Sequence, residues 1–405
     1  MLKNIIRTGF VFVVVTGLVC LYTTSQLPDT LYFRKDRDIR IKSVPAITLT
    51  SDKNETSSRV STGERQIYTA KLFGILPVKE VAVVWTGTRY VNVSGKPFGI
   101  KMFCDGVMVV GFSDILTRSG YFNPAKSAGL KTGDIITHID SVQVRTNEDV
   151  EKIITGSNGK PLEIQFVRDG KIHSSKLTAA RDSVSEILRS GMWVRDSGAG
   201  IGTMTFYDTQ TGYFAGLGHG IRDADTMKEL PLLSGEIVPV KITGIVKSRN
   251  GSAGQLKGSF TTTRASGKLL YNGRSGVYGK AYGPDKDNVM PVADPASVKP
   301  GPAYILTTIN NSVPQMYTVE IEKVNLTAED NNKNMVIRIT DSRLLALTGG
   351  IVAGMSGSPI IQNGRLAGAV THVFVNNVER GYGIFARNMI NTLDSVARNE
   401  NEKAA

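Results

Sequence analysis

Cysteine and histidine are scarce in this sequence, and with them go most ways of building a disulfide framework or a metal centre. Its 405 residues hold two cysteines, Cys20 in an apolar N-terminal run and Cys104 in a strand-like segment, and these are not expected to pair. The four histidines, His138, His173, His219 and His372, form neither a HExxH pattern nor a His/Cys cluster, so a histidine-based metal site has no support and no cofactor is called for. Aromatic residues make up 7% of the chain, and no helical basic stripe or zinc-finger spacing accompanies the net charge of +12. Nucleic acid is therefore not an expected partner. Attraction to an anionic membrane surface, or plain solvation, accounts better for the charge.

What is present suffices for two or three globular domains, with 41% of residues hydrophobic. Lys3 and Arg7 precede an uncharged run from Thr8 to Pro28, which reads as an export signal over residues 1–28. At 1.5 Å per residue the whole run would reach about the 30 Å of a bilayer core, whereas its apolar heart fits a signal peptide. No clear cleavage site follows, so a retained membrane anchor is expected. Val19 is too bulky for Cys20 to mark a lipoprotein signal. Residues 29–66 turn polar and read as a linker, and residues 67–94 as a short β segment carrying the runs Val81 to Trp85 and Tyr90 to Val93.

From Lys96 the pattern becomes specific. Gly99 to Met102 and Gly106 to Phe112 read as strands, followed by Pro124-Ala125, then Ala128-Gly129-Leu130, then Gly133-Asp134-Ile135-Ile136 and a helix over Thr146 to Ile154. This order resembles a bacterial PDZ domain, here expected over residues 95–182. The resemblance implies a groove in which an extended peptide adds as a strand. It assigns Pro97, Phe98, Gly99 and Ile100 to the loop that receives the peptide carboxylate. A PDZ fold whose groove is filled by its own chain is the alternative.

Residues 183–405 are glycine-rich and strand-like, with runs at Gly200 to Tyr207, Val238 to Val246, Tyr304 to Thr308, Met316 to Val324 and Met335 to Thr340, and a helical pattern only at Asn388 to Ala397. They predict a single all-β unit of two packed barrels. The most informative stretch is Gly349-Gly350-Ile351-Val352-Ala353-Gly354-Met355-Ser356-Gly357-Ser358-Pro359, followed by an Asn363-Gly364 turn. Glycines around a serine let backbone N–H groups curl toward a developing oxyanion, and Gly354 and Ser356 are the candidate donors. An α/β-hydrolase elbow would need a helix after the serine, but Asn-Gly between apolar runs predicts a β-hairpin. The segment resembles the active-site loop of chymotrypsin-like peptidases, in which Gly350, Ile351 and His372 would line the substrate cleft.

A serine hydroxyl needs a base, and His219 and His372 are the histidines of this domain; His219, in a glycine-flanked turn, is the preferred one. For the acid, Asp341 ends an apolar strand, with Asp208, Asp223 and Asp225 as rivals. Met355 stands where chymotrypsin-like enzymes commonly carry an aspartate that pairs with a new N-terminus. Some other contact must order the loop, and the PDZ module is the available candidate.

The export signal, the PDZ module ahead of the peptidase, Leu217-Gly218-His219-Gly220, Thr340-Asp341 and Gly354-Met355-Ser356-Gly357-Ser358-Pro359 together resemble the stage IV sporulation protein B family, serine endopeptidases of endospore-forming bacteria. The resemblance implies His219, Asp341 and Ser356 as a triad. It further implies export across the forespore membrane, cleavage of the regulatory partner of a membrane-embedded metalloprotease that triggers late sigma-factor activation, and self-processing. Two other readings stay open at this point. One is a non-catalytic PDZ scaffold. The other is a Ser/Lys processing protease using Lys241 or Lys247.

Overall fold

Alternate burial, the mark of half-buried strands, runs through the C-terminal half: Met335, Ile337 and Ile339 are buried while Val336 and Arg338 are only partly so. In the computed structural model, which describes residues 2–34, 39–41, 44, 46–50, 65–262, 264–283, 288–310, 313–327 and 332–404, such strands build a mainly β molecule. Gly301–Thr307, Gln315–Val324, Met335–Ile339, Asn377–Phe385, Arg365–Phe374 and Pro359–Gln362 pair in that order into a closed barrel. Its interior holds Ile305, Ile321, Ile337, Ile360 and Met355, all fully buried.

A second ring of strands lies beside it. Pro97–Phe112 pairs with Leu232–Val246, which pairs in turn with Gly267–Gly273, Gly276–Ala281, Tyr213–Gly216 and Met192–Tyr207. Met192–Tyr207 then returns to Pro97–Phe112 and closes the ring around Phe98, Met102, Phe214 and Val277. The C-terminal helix Ala386–Ala404 lays Met389, Ile390 and Leu393 against Phe206, Tyr213 and Ala215 of this ring and Ala369 and Ile384 of the other barrel.

The module expected ahead of the peptidase is instead inserted within it. The two 16-residue strands Pro97–Phe112 and Met192–Tyr207 pair with each other along most of their length, and their far halves carry a second body. There Val107 and Met108 pair with Ile136 and Ile135, and Ile135–Ile139 pairs onward to Pro161–Arg168 and Lys171–Thr178. The helix Asn147–Gly156 is closed by a capping box between Thr146 and Asp149 and buries Val150 and Ile154 on this sheet. The ribbon turns between the two bodies at Gly106, whose φ of 105° suits glycine and where a Cβ would lie 2.6 Å from the Ile136 carbonyl oxygen.

The N-terminal region also departs from expectation. Within residues 29–94, Thr30–Arg34, Leu76–Thr86, Arg65–Leu72 and Ile47–Thr50 form a four-stranded sheet in that order, around Leu31, Phe33, Val83 and Trp85. Residues 29–66 thus hold strands where a linker was expected, because their few apolar residues gather on one face; residues 51–64 lie outside the described residues. A helix forms at Leu2–Ser25, where the anchor is expected, and Cys20 near its end packs on the same sheet. Among the described residues no helix is long and apolar enough to cross a membrane. Thr16, Gly17, Thr23, Thr24 and Ser25 dilute the apolar run.

Candidate active site

The serine loop is set from both ends by local chemistry. The helix Ser342–Thr348 stops at Gly349 in the left-handed conformation, φ 70°, and the Asn363-Gly364 turn joins Pro359–Gln362 to Arg365–Phe374 in the expected hairpin. Between them Met355 is buried in the barrel core and pins the loop, donating its N–H to the Val352 carbonyl and accepting from Ser358 N–H. The second ring supplies the remaining restraints. Thr203 N–H donates to the Ser356 carbonyl at 2.9 Å, and the Thr203 and Thr205 hydroxyls donate to the carbonyls of Gly354 and Gly357 at 2.7 and 2.8 Å. These contacts, rather than an ion pair, order the loop around Met355, and they come from the strand that continues into the inserted module. Gly357 is obligatory: a Cβ there would lie 2.0 Å from the Thr203 carbonyl oxygen. Among the described residues, the N–H groups of Gly354 and Ser356 donate to no protein acceptor.

Ser356 is half-buried and its Oγ donates to the Thr371 carbonyl at 2.8 Å. The next residue, His372, places its ring 4.8 Å from that of His219, centroid to centroid. A Cβ on Gly218 would lie 2.8 Å from Thr371 Cγ2, and one on Gly357 would lie 2.5 Å from Leu217 N, so the histidine turn and the serine turn touch. His219 Nδ1 lies 2.9 Å from the Gly220 carbonyl oxygen. A carbonyl only accepts, so Nδ1 carries the proton and Nε2 keeps its lone pair. Burial pushes the imidazole pKa below its ordinary value, Gly220 partly opposes this, and Arg222 adds to it. Burial and Arg222 both favour the neutral ring, with its Nε2 lone pair open. Asn272 fixes the turn that follows: its Oδ1 accepts from Ile221 N–H, and its Nδ2 donates to the carbonyls of Ile221 and Leu230.

The carboxylates are placed elsewhere. Among the described residues none bonds to His219. Asp341 caps the helix Ser342–Thr348 and accepts from Arg343 through its N–H, Nε and Nη2, the last at 2.8 Å. Those bonds hold its pKa down at about 2, against the opposing pull of burial. Asp208 is taken by Arg89, and Asp223 and Asp225 by Arg195. The lysines of the Ser/Lys alternative are also accounted for: Lys247 donates to the Ala346 carbonyl, and Lys241 is exposed.

Residues 186–390, half of the chain, match the family described as SpoIVB peptidase S55. The chain belongs to this family. Residues 117–178 match the PDZ domain. A Haemophilus influenzae protein named as a periplasmic serine protease of the do/HhoA-like type is 34% identical over 76 residues, covering 18% of this chain and 16% of that protein. A Borreliella burgdorferi protein named as a zinc metalloprotease is 40% identical over 65 residues, covering 16% of this chain and 14% of that one. The chain thus spans about a sixth of the length of these curated relatives. Among solved structures, the PDZ domain of an SdrC-like protein from Listeria monocytogenes is 20% identical, covers 22% of this chain and 87% of that one, and has a TM-score of 0.19. The HtrA-type protease AlgW with a decapeptide is 10% identical, covers 50% and 55%, and has a TM-score of 0.31.

This chain of the SpoIVB peptidase S55 family thus carries a PDZ domain, and two site expectations need correction. Pro97, Phe98, Gly99 and Ile100 are not a carboxylate-receiving loop. They pair with Thr203 to Gly200 on one edge, and Phe98 to Ile100 pair with Pro239 to Ile237 on the other, so their strand is internal to the peptidase ring. Phe98 and Ile100 are buried, and a Cβ on Gly99 would lie 2.4 Å from the Phe260 ring. Ile351 does not line an open cleft either. It is 3% exposed in the barrel core, where its Cδ1 meets Gly381, and Gly350 lies tight against the Val378 carbonyl. His372 does face the site. Thr203, Thr205 and Asn272 were not anticipated. The two threonines had left a signal, as regularly spaced hydroxyls in an otherwise apolar strand, whereas Asn272 had none.

Proposed function

We propose that Ser356 is the nucleophile and His219 the general base of a serine endopeptidase. The observation that carries this is the contact of their two turns through Thr371-His372, with His219 Nδ1 protonated toward Gly220. Ser356 Oγ turns from the Thr371 carbonyl toward His219 Nε2, which takes its proton as Oγ attacks the peptide carbonyl. The unclaimed N–H groups of Gly354 and Ser356 stabilise the resulting oxyanion. His219 then returns the proton to the leaving amine, and water cleaves the acyl-enzyme by the same route. Gly220 O fixes the tautomer in this conformation, and Asp341, the acid assigned by the family resemblance, orders the helix that leads into the serine loop.

In the same reading the substrate is the regulatory partner of a membrane-embedded metalloprotease, cleaved during spore formation, with the chain itself a second substrate. The enzyme acts after export across the forespore membrane. The test is incubation of purified wild-type and Ser356→Ala chains with that regulator in vesicles, followed by sequencing of fragments. Fragments from the wild type alone support the reading. Identical fragments from both would end it, and labelling by a fluorophosphonate reports separately on the serine.

A further inference from the structure

With Ile351 turned into the core, the open space beside the serine loop lies on the other side of Gly354. A cavity of about 460 Å³ opens there between Met192–Tyr207 and Gln255–Phe260, walled by Ala199, Ile201, Leu256, Phe260 and Ala353 and ending at Gly354 itself. Among the described residues no charged side chain lines it, and its polar ones are Gln255 and Ser259. A Cβ on Gly354 would lie 3.1 to 3.3 Å from Leu256, so the wall touches a proposed oxyanion donor. Gly258 keeps the cavity open, since a Cβ there would meet Ile201 Cδ1 and Val240 at 2.9 Å.

The backbone suits an extended ligand as well. Gln255–Phe260 pairs with Leu232–Val246 along one edge only. On the other edge, among the described residues, it makes just the parallel bridge from Gln255 to Ala353 and the bond from Leu256 N–H to the Ala353 carbonyl, at 2.8 Å. Beyond Leu256 that edge is free to receive a peptide strand.

We propose that this cleft selects the substrate: it seats one apolar side chain, of leucine, isoleucine, methionine or phenylalanine size, of an extended peptide on the side of the scissile bond facing the second ring. The proposal rests on Ser356 as nucleophile. Desolvating a charged side chain against Ile201, Leu256 and Phe260 is costly, while an apolar one replaces water in the cavity. Discrimination between an apolar and a charged residue at that position should be about 100-fold, the scale at which apolar pockets separate side chains.

The test is digestion of an unfolded protein mixture by the full chain, with the residues flanking each cut read by mass spectrometry. One flanking position should be dominated by apolar residues in the wild type. Ile201→Glu should lose that bias by about tenfold or more, and Ser259→Glu, at the exposed rim, should shift it toward lysine and arginine without touching the core. A fluorophosphonate label on Ser356 shows in each variant that the site is assembled; should Ile201→Glu fail to label, Ser259→Glu decides. No apolar bias in the wild type, or an unchanged bias in labelled variants, overturns the proposal. A wild type that cuts without labelling at Ser356 overturns the serine reading instead.

Discussion

Thr203 holds Ser356 across the two barrels, its N–H 2.9 Å from the Ser356 carbonyl, while its hydroxyl takes the Gly354 carbonyl at 2.7 Å. Eight residues earlier, Arg195 on the same strand pairs with Met108 at the edge of the inserted module. One strand thus joins peptide-binding fold and serine loop, which gives the inserted module a covalent route to the site.

Thr203→Val tests that route, because it keeps shape and amide but removes the hydroxyl from a buried site. Leaving the Gly354 carbonyl unpaired costs about 1–3 kcal/mol. Steady-state kinetics should show kcat reduced by about tenfold or more with KM little changed. Thr205→Val, which frees the Gly357 carbonyl, should act in the same direction. Wild-type kcat in a folded Thr203→Val chain would mean that the loop is ordered without the strand.

Ser356→Ala should lower peptide cleavage by about 10⁴ to 10⁶. Ser358 lies two residues on, but its buried hydroxyl is engaged elsewhere, donating to Thr307 Oγ1 at 2.9 Å. Ser358→Ala should therefore cost about 1 kcal/mol of stability and leave cleavage nearly intact. Activity assays and thermal melts on both variants separate the roles, and a reversed order would move the nucleophile.

Asp341 and Arg343 should behave as a pair. If Asp341 acts by ordering the helix before the serine loop, Asp341→Asn and Arg343→Gln should lower kcat by similar factors, and the double variant should be no worse than the poorer single. A triad acid would give a loss of about 10⁴ for Asp341→Asn alone, with Arg343→Gln mild. The sign of the pH effect also follows. The folded-state pKa is depressed from 3.8 to about 2, so the pair's stabilisation is full above the unfolded value and is lost as pH falls from about 4 toward 2. An acid titration of the melting temperature should show this loss, and Arg343→Gln should reduce it.

His219 sets the acid limb of the rate profile. Its protonated form cannot accept the serine proton, and burial depresses its pKa, so activity should persist below the usual histidine range and fall only as pH drops through that lowered value. The kcat/KM profile should have its acidic midpoint below 6.5, the ordinary value. Asn272→Ala should loosen the Ile221 turn, expose the ring and move the midpoint upward. An unshifted midpoint in that variant would remove Asn272 from the site.

What the sequence by itself determined was local. Short-range chemistry is written in neighbouring residues: Asn363-Gly364 dictates a hairpin, Thr146 and Asp149 close a helix, and glycines around Ser356 mark a loop with special φ angles. The β class of the C-terminal half and the preference for His219 and Ser356 followed from such signals. Only the tertiary structure decided which strands pair over long distances. Pro97 to Ile100 look the same in sequence whether they edge a peptide groove or run between Met192–Tyr207 and Leu232–Val246. Their place depends on partners about a hundred residues away, and so on which pairing buries Phe98 and Ile100 together. The same reason hid the insertion of the PDZ body, the burial of Ile351 and the capture of Asp341 by Arg343, since each turns on which surface a segment meets after folding.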